Sequence, residues 1–297
     1  MPYTRILIDN AYEAWMLTIR HCDMILSGRA TLQYQKGFVS LLQNAIELFL
    51  KQIMIDNNDH SVAWIDKIKT KDDAQLMLDY MTSNDLNSFF QSLDSEKLRK
   101  FKSVDFNTLI KKHRKILKDF FSDQHSFTPQ LKKLQLLRNN ETHFFIEKQH
   151  FLNETDYLMF YNFMIEFYKV LEQFDLLPFW GKPRDKYSRL VFLRTPLTSF
   201  SYKDAIKSSK LATEIASLLQ NSQEYGQPSS SAYEITENIF LNNPQKYNSS
   251  FNDILAIVEM MLLLNMIDYN EIIESLPEEL DPTGSHPNEY YIMKVII

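Results

Sequence analysis

Apolar residues recur at steps of three and four along most of this chain, which is the spacing that one buried face of an α-helix requires. The stretch at 38–55, FVSLLQNAIELFLKQIMI, is the strongest example. Similar patterns occupy stretches at 11–26, 104–121, 127–137 and 154–177. Helices with one apolar face bury that face by packing against each other. We therefore predict a mainly α protein whose N-terminal part is a bundle of four long antiparallel helices joined by shorter pieces.

The helical pattern stops after residue 177, where Pro178, Gly181, Pro183 and Pro196 follow within 20 residues. Proline cannot continue a helix, so this composition indicates a domain boundary. Beyond it we predict a short strand at SRLVFL (188–193), a final strand at EYYIMKVII (289–297), and helices at 203–222, 231–241 and 250–275. The predicted organisation is a helical domain at 1–180, a linker at 181–202 and a smaller, mostly helical domain at 203–297. A winged-helix-like arrangement is one option for the last of these.

Composition narrows the class of protein. The chain has 297 residues with 44% hydrophobic and 24% charged residues, which is typical of globular proteins. Only 5 glycines are present, which disfavours glycine-rich phosphate loops and β-barrels. The one cysteine, Cys22, cannot form an internal disulfide and suggests a reducing compartment. The longest apolar run, MMLLLNMI at 260–267, is too short to span a bilayer, so we expect a cytoplasmic protein with no membrane partner.

Charge is distributed unevenly. From Ser201 onward there are 5 lysines, no arginine and 14 acidic residues, a net charge of -9, whereas the first 200 residues carry a net charge of +3. A basic stretch from Lys97 to Lys118 holds nine Lys or Arg against one acidic residue, Asp105. Runs of charge on helices are often solvated surface, but this excess also predicts contact with phosphate. The candidate RNA-binding residues are Lys97, Arg99, Lys100, Lys111, Lys112, Arg114 and Lys115.

A polar block interrupts the apolar pattern at LLRNNETHFF (136–145). Asn139 and His143 are four residues apart and share one face of a helix, with the long side chain of Arg138 beside them. Arginine binds phosphate oxygens through a planar fork, and histidine exchanges protons near neutral pH. The block therefore suggests a phosphate-binding, proton-transferring site. The structural alternative is a helix ion pair between Arg138 and Glu141, with His143 hydrogen-bonded in the core.

The block RNNETH (138–143) resembles the signature of the HEPN superfamily, which is an arginine, a polar residue, three further residues and a histidine. The stretch 38–55 is similar to the family's first core helix, and the matching elements cover about residues 10–177. The resemblance implies a helical domain that dimerises so that two signatures face each other. Many such proteins are metal-independent endoribonucleases of toxin–antitoxin, abortive-infection and antiviral defence systems, and the longer two-domain members look closest to this chain.

The resemblance also implies roles for individual residues. Arg138 would orient the phosphate, His143 would act as general base or acid, and Asn139 would add a polar contact. Glu47 would position Arg138, and no metal or cofactor would be needed. One branch of the family has a tyrosine two residues after the histidine, which its antitoxin modifies. Phe145 stands there in this chain, so neutralisation by nucleotide transfer to that position is not expected.

Two other interpretations compete with this one. The chain could be a non-catalytic helical module that binds RNA or protein, or a transcription regulator whose C-terminal domain reads DNA, although a net charge of -9 disfavours the latter. The seven histidines show no metal-ligand spacing, and no Gly-x-Ser-x-Gly nucleophile motif is present. We expect RNA, a second copy of the chain and a regulatory protein or antitoxin as partners, with the acidic C-terminal domain in a regulatory or partner-binding role.

Overall fold

The protein is mainly helical, as predicted. The computed structural model describes residues 5–117, 127–143, 152–177, 195–220, 223–225, 231–242, 250–275 and 287–296. The predicted strand at 188–193 lies outside these residues. Strands within them are few and form two small antiparallel sheets.

The chain divides into two compact units whose sequences interleave. Unit 1 comprises Met1–Arg20, Lys36–Glu147 and Thr155–Thr198, and unit 2 comprises His21–Gln35, Lys148–Glu154 and Ser199–Ile297. The predicted domains were continuous in sequence, and residues 21–35 and 148–154 were assigned to the first domain at 1–180. The structure groups these two segments with unit 2 instead. Hydrogen bonds within unit 2 explain the grouping of the second segment, because Leu152 donates its N–H to Gln35 Oε1 and accepts the hydroxyl of Tyr202.

Helices dominate the first 177 residues of the chain. They are α1 (Ile8–Leu26), α2 (Leu32–Asp56), α3 (Lys71–Thr82), α4 (Leu86–Ser92), α5 (Ser95–Leu98), α6 (Phe106–Leu117), α7 (Phe127–His143) and α8 (Glu154–Gln173). Strands β1 (Ala63–Ile65) and β2 (Phe101–Ser103) pair antiparallel, with Trp64 opposite Lys102. The four longest helices, α1, α2, α7 and α8, coincide with four of the stretches that have helical apolar spacing.

Aromatic side chains fill the core of unit 1. Trp15 of α1 contacts Phe49 of α2 edge to face, with ring centroids 6.4 Å apart, and also approaches Phe167 of α8. Phe163 of α8 stacks on Phe127, the first residue of α7. Each of these five side chains is at most 3% exposed. The regular apolar spacing of α1, α2 and α8 is therefore explained by a common core, which also fixes the start of α7.

Helix α2 is more apolar than the sequence analysis allowed. Its 25 residues are long and apolar enough to cross a membrane by composition, a feature that the search for unbroken apolar runs missed. However, 72% of the most apolar window is buried inside the protein. Burial of that kind is what a core helix requires.

Unit 2 contains the remaining elements. They are α9 (Tyr202–Lys207), α10 (Lys210–Leu219), β3 (Gln223–Tyr225), α11 (Ala232–Asn242), α12 (Phe251–Leu263), β4 (Ile267–Ser275) and β5 (Pro287–Val295). The sheet has the order β3-β5-β4 and is antiparallel throughout. The predicted helix at 250–275 is wrong beyond Leu263. Asn265 adopts a φ of 52°, which ends α12, and the nine residues of β4 (Ile267–Ser275) pair with β5.

Glycine is required at the turn between α1 and α2. Gly28 has a φ of +84°, and the N–H of Arg29 reaches back to the carbonyl of Met24, as in a Schellman cap. A Cβ at Gly28 would lie 3.0 Å from the Cα of Ile206 in α9. Arg29 then forms an ion pair with Asp253 of α12, with 2.5 Å between Nη1 and Oδ1. The turn therefore fixes this end of α1 within unit 2.

We expect Gly28→Ala to lower the free energy of unfolding by about 2 kcal/mol, because it adds a strained φ and a backbone contact. Urea denaturation followed by circular dichroism measures the loss. The matched control is Gly37→Ala inside α2, where the same methyl group meets helical dihedrals and alanine is favoured by about 1 kcal/mol. Equal effects of the two substitutions would contradict the explanation.

Candidate functional site

The polar block begins where the buried side of helix α7 ends. Leu131 and Leu134 are 1% and 0% exposed. One turn beyond Leu134, both Arg138 and Asn139 are exposed. Three candidate side chains were predicted on α7, and two of them face solvent in the single chain.

His143 is the last residue of α7. Its backbone is one helical turn beyond Asn139, so the two residues share a side of the helix, with Cβ atoms about 5–6 Å apart at ideal geometry. The side chains of Asn140 to His143 lie outside the described residues, and so does Phe145. The structure therefore places the backbone of His143 relative to Asn139 on α7.

Glu47 has a different cationic partner from the one that the resemblance implies. Its Oε1 lies 2.5 Å from Nζ of Lys51, one turn along α2. Lys51 also donates to Oγ of Ser103, the last residue of β2, at 2.8 Å. The carboxylate of Glu47 therefore holds a lysine that is tied to the small sheet, and its role beside Arg138 stays a prediction.

Asn44, Glu47 and Lys51 form a polar line along α2, at steps of three and four residues. A polar line beside an apolar helix face is usually solvated surface, and Lys51 departs from this expectation. Asn44 is exposed, but Lys51 is only 7% exposed, and the neighbouring Gln52 is fully buried. A buried ammonium group needs an anion and further acceptors, which Glu47 and Ser103 supply. The spacing of four residues gave a local indication of the Glu47 contact, whereas nothing local indicated Ser103.

We expect Lys51→Met to destabilise unit 1 by about 2 kcal/mol, because it leaves a half-buried carboxylate without its cation. Adding Glu47→Gln to the same chain should restore most of the loss. The comparison is Lys210→Met, which removes an exposed pair of the same spacing with Glu214 and should leave the urea midpoint unchanged. An unchanged midpoint for Lys51→Met would show that the Glu47–Lys51 contact has no structural role.

Acidic residues face much of the basic stretch. Four of its lysines form ion pairs, namely Lys97 with Asp94, Lys100 with Asp73, Lys102 with Asp66 and Lys112 with Asp59. Asp73 accepts hydrogen bonds from Lys100 and from backbone N–H groups, which hold the pKa of that carboxyl well below its usual range. These aspartates lie outside the Lys97–Lys118 window, which is why counting within it overstated the free positive charge.

Three cations of the stretch are better placed to contact a polyanion. Arg99, Lys111 and Arg114 are exposed, and none of them forms an ion pair within the described part of the chain. The side chain of Lys115 is outside that part. The predicted RNA-binding set of seven residues thus separates into three exposed cations, three paired lysines and one residue whose placement is not described.

His113 does not belong to the basic face. It follows Phe106, Leu109 and Ile110 at helical spacing on the buried side of α6 and is 1% exposed. Neither ring nitrogen has a hydrogen-bond partner among the described residues, although the backbone of Leu50 is close to the ring. Burial lowers the pKa of the imidazole from 6.5 to about 4. The spacing to Leu109 and Ile110 was the signal that the sequence analysis overlooked.

The described residues offer no arrangement of side chains that suits a metal ion. No group of three or more His, Cys, Asp or Glu side chains there is close enough together to hold a metal ion.

Compared with known proteins, the chain matches no family model, no curated sequence and no solved structure.

Proposed function

We propose that unit 1 is a metal-independent endoribonuclease of the HEPN type, acting as a cytoplasmic homodimer in a toxin or antiphage defence system. The observation that carries the proposal is the exposure of Arg138 and Asn139 on a helical turn that ends at His143. Arginine binds phosphate oxygens, asparagine donates a hydrogen bond, and histidine transfers protons near neutral pH, so the residue types of this turn match the proposed chemistry.

In the proposed reaction the ribose 2′-oxygen attacks the adjacent phosphorus, and the bond to the 5′-oxygen breaks. One histidine accepts the 2′-hydroxyl proton, and a second histidine gives a proton to the departing 5′-oxygen. The products are a 2′,3′-cyclic phosphate and a 5′-hydroxyl. Arg138 balances the charge that develops on the non-bridging phosphate oxygens, and Asn139 adds a hydrogen bond.

The need for two histidines supports a dimer. The nucleophile and the leaving oxygen lie on opposite sides of phosphorus, so one imidazole on one helix cannot serve both. A two-fold contact between copies of α7 would supply a second His143 and a second Arg138.

The test uses the purified full-length chain and a single-stranded RNA labelled at its 5′ end. We expect cleavage in the presence of EDTA, products that end in a cyclic phosphate, and no cleavage at a position where the ribose is replaced by 2′-deoxyribose. Cleavage of the 2′-deoxy linkage, or a requirement for a divalent cation, would exclude this mechanism.

The second candidate is a helical module that binds RNA without cleaving it. Exposed Arg99, Lys111 and Arg114 favour it, since phosphate contacts need cations that are not already paired. Under this alternative, Lys111→Glu with Arg114→Glu weakens RNA binding and reduces its salt dependence, and the intact chain yields no cleavage products. A regulatory protein or antitoxin that controls the chain is compatible with either function.

A further inference from the structure

Unit 2 has an open groove beside helix α12. The groove has a volume of about 450 Å³. Its lining residues are Thr31 and Leu32 around the start of α2, Ala232 at the start of α11, and Glu259, Met260, Leu262 and Leu263 in the last turns of α12, of which Met260 also belongs to the core. This volume is within the range of about 300–1,000 Å³ that is usual for binding clefts.

The groove is apolar at positions where a surface helix is normally polar. Helix α12 already buries Ile254, Ile257 and Met261 in the core of unit 2. Its groove side carries Leu262 and Leu263, which are only half-buried, and the adjacent Leu32 is 37% exposed. A helix that is apolar on both sides is expected to be covered on both.

The negative charge of unit 2 favours one kind of partner for the groove. Glu259 is the charged residue of the lining, and desolvation by its surroundings raises the pKa of its carboxyl. Unit 2 also contains the C-terminal segment from Ser201, which has a net charge of -9. A second copy of this unit would bring the same negative charge and be repelled, whereas a basic partner would be attracted.

We propose that this groove docks an amphipathic helix of a partner protein, with apolar side chains against Leu32, Leu262 and Leu263 and a lysine or arginine against Glu259. Helix-in-groove recognition of this kind relies on apolar residues at i, i+3, i+4 and i+7. The cation fixes the orientation of the bound helix, because its charged hydrogen bond to Glu259 holds one position of that helix at this residue. The proposal concerns unit 2 alone and does not depend on ribonuclease activity in unit 1.

The test measures fluorescence anisotropy of two labelled 18-residue helical peptides with the full-length chain. Both peptides carry leucine at the helical apolar positions, and the remaining positions are lysine in one and glutamate in the other. We expect the lysine peptide to bind at least about tenfold more tightly, which corresponds to about 1.4 kcal/mol. Glu259→Lys should remove most of this preference, because it replaces the carboxylate of the lining by a cation. The matched control, Glu237→Lys on the exposed side of α11, makes the same change in net charge outside the groove and should alter affinity less than about twofold.

Two outcomes overturn the proposal. Equal losses for Glu259→Lys and Glu237→Lys would show that only net charge attracts the peptide. Unchanged binding by a Leu262→Ala, Leu263→Ala double variant, with its circular dichroism spectrum intact, would place the peptide elsewhere. Sedimentation of the same variants identifies the competing occupant, because dissociation of a dimer by Glu259→Lys would assign the groove to a second copy. Loss of RNA cleavage in any of these variants is scored separately and bears only on unit 1.

Discussion

RNA cleavage should fall by about 100- to 10,000-fold when His143 is replaced by alanine, which is the range that a positioned general acid or base contributes. Arg138→Ala should lower the cleavage rate by about 100- to 1,000-fold, because the developing phosphate charge loses a fixed cation. Arg138 is exposed and His143 is the last residue of α7, so the fold should be retained. Single-turnover cleavage rates and circular dichroism spectra measure the two effects.

The control is Lys132→Ala, which removes an exposed cation from the same helix without touching the polar block and should leave the rate unchanged. Mixing experiments test the composite site. If a dimer needs two histidines, an equal mixture of wild-type and His143→Ala chains should retain about one quarter of the activity, whereas independent sites would retain about one half. Full activity of well-folded Arg138→Ala and His143→Ala chains would end the ribonuclease assignment.

Unit 1 should lose about 3 kcal/mol of stability as the pH falls from 6.5 to 4, and the cause is His113. The pKa of this imidazole is lowered from 6.5 to about 4 by burial, so the folded chain keeps it neutral. Above pH 6.5 neither state binds the proton and stability does not change. Between pH 6.5 and 4 the unfolded chain binds a proton that the folded chain does not, so stability declines. Below pH 4 both states are protonated at His113, so its contribution ends, and any further loss comes from carboxyl groups such as Asp73, whose pKa is lowered in the folded chain.

Urea denaturation across this pH range, followed by tryptophan fluorescence, measures the decline, since Trp15 and Trp64 both belong to unit 1. His113→Leu should flatten the pH profile while costing little at pH 8, because neither ring nitrogen has a described hydrogen bond to lose. His21→Leu is the comparison. His21 also has a pKa lowered by burial, but it belongs to unit 2, so the acid response of unit 1 should persist. Of the charged groups near His113, Asp59 raises the pKa of the imidazole and Lys112 lowers it. A pH profile unchanged by His113→Leu would show that groups other than His113 cause the acid sensitivity.

The sequence predicted the helices of unit 1 well because their apolar spacing is a local property. Helix α2 could be identified from residues 38–55 alone, and Arg138, Asn139 and His143 could be placed together on one helix by counting. The same method failed at 264–275. The apolar run that ends α12 continues without an obvious break, and the pairing that makes β4 a strand comes from β5, beyond residue 286.

By itself, the sequence determined a mainly helical chain, a polar block within an apolar helical pattern, and a segment from Ser201 that is strongly acidic. The tertiary structure decided which charges remain available. It placed Ser103 against Lys51 across 52 residues, set Asp59, Asp66 and Asp73 against lysines of the basic stretch, and buried His113. The physical reason is that periodicity depends on neighbours a few residues apart. Burial and ion pairing depend on distances in space, which arise only when remote segments pack together.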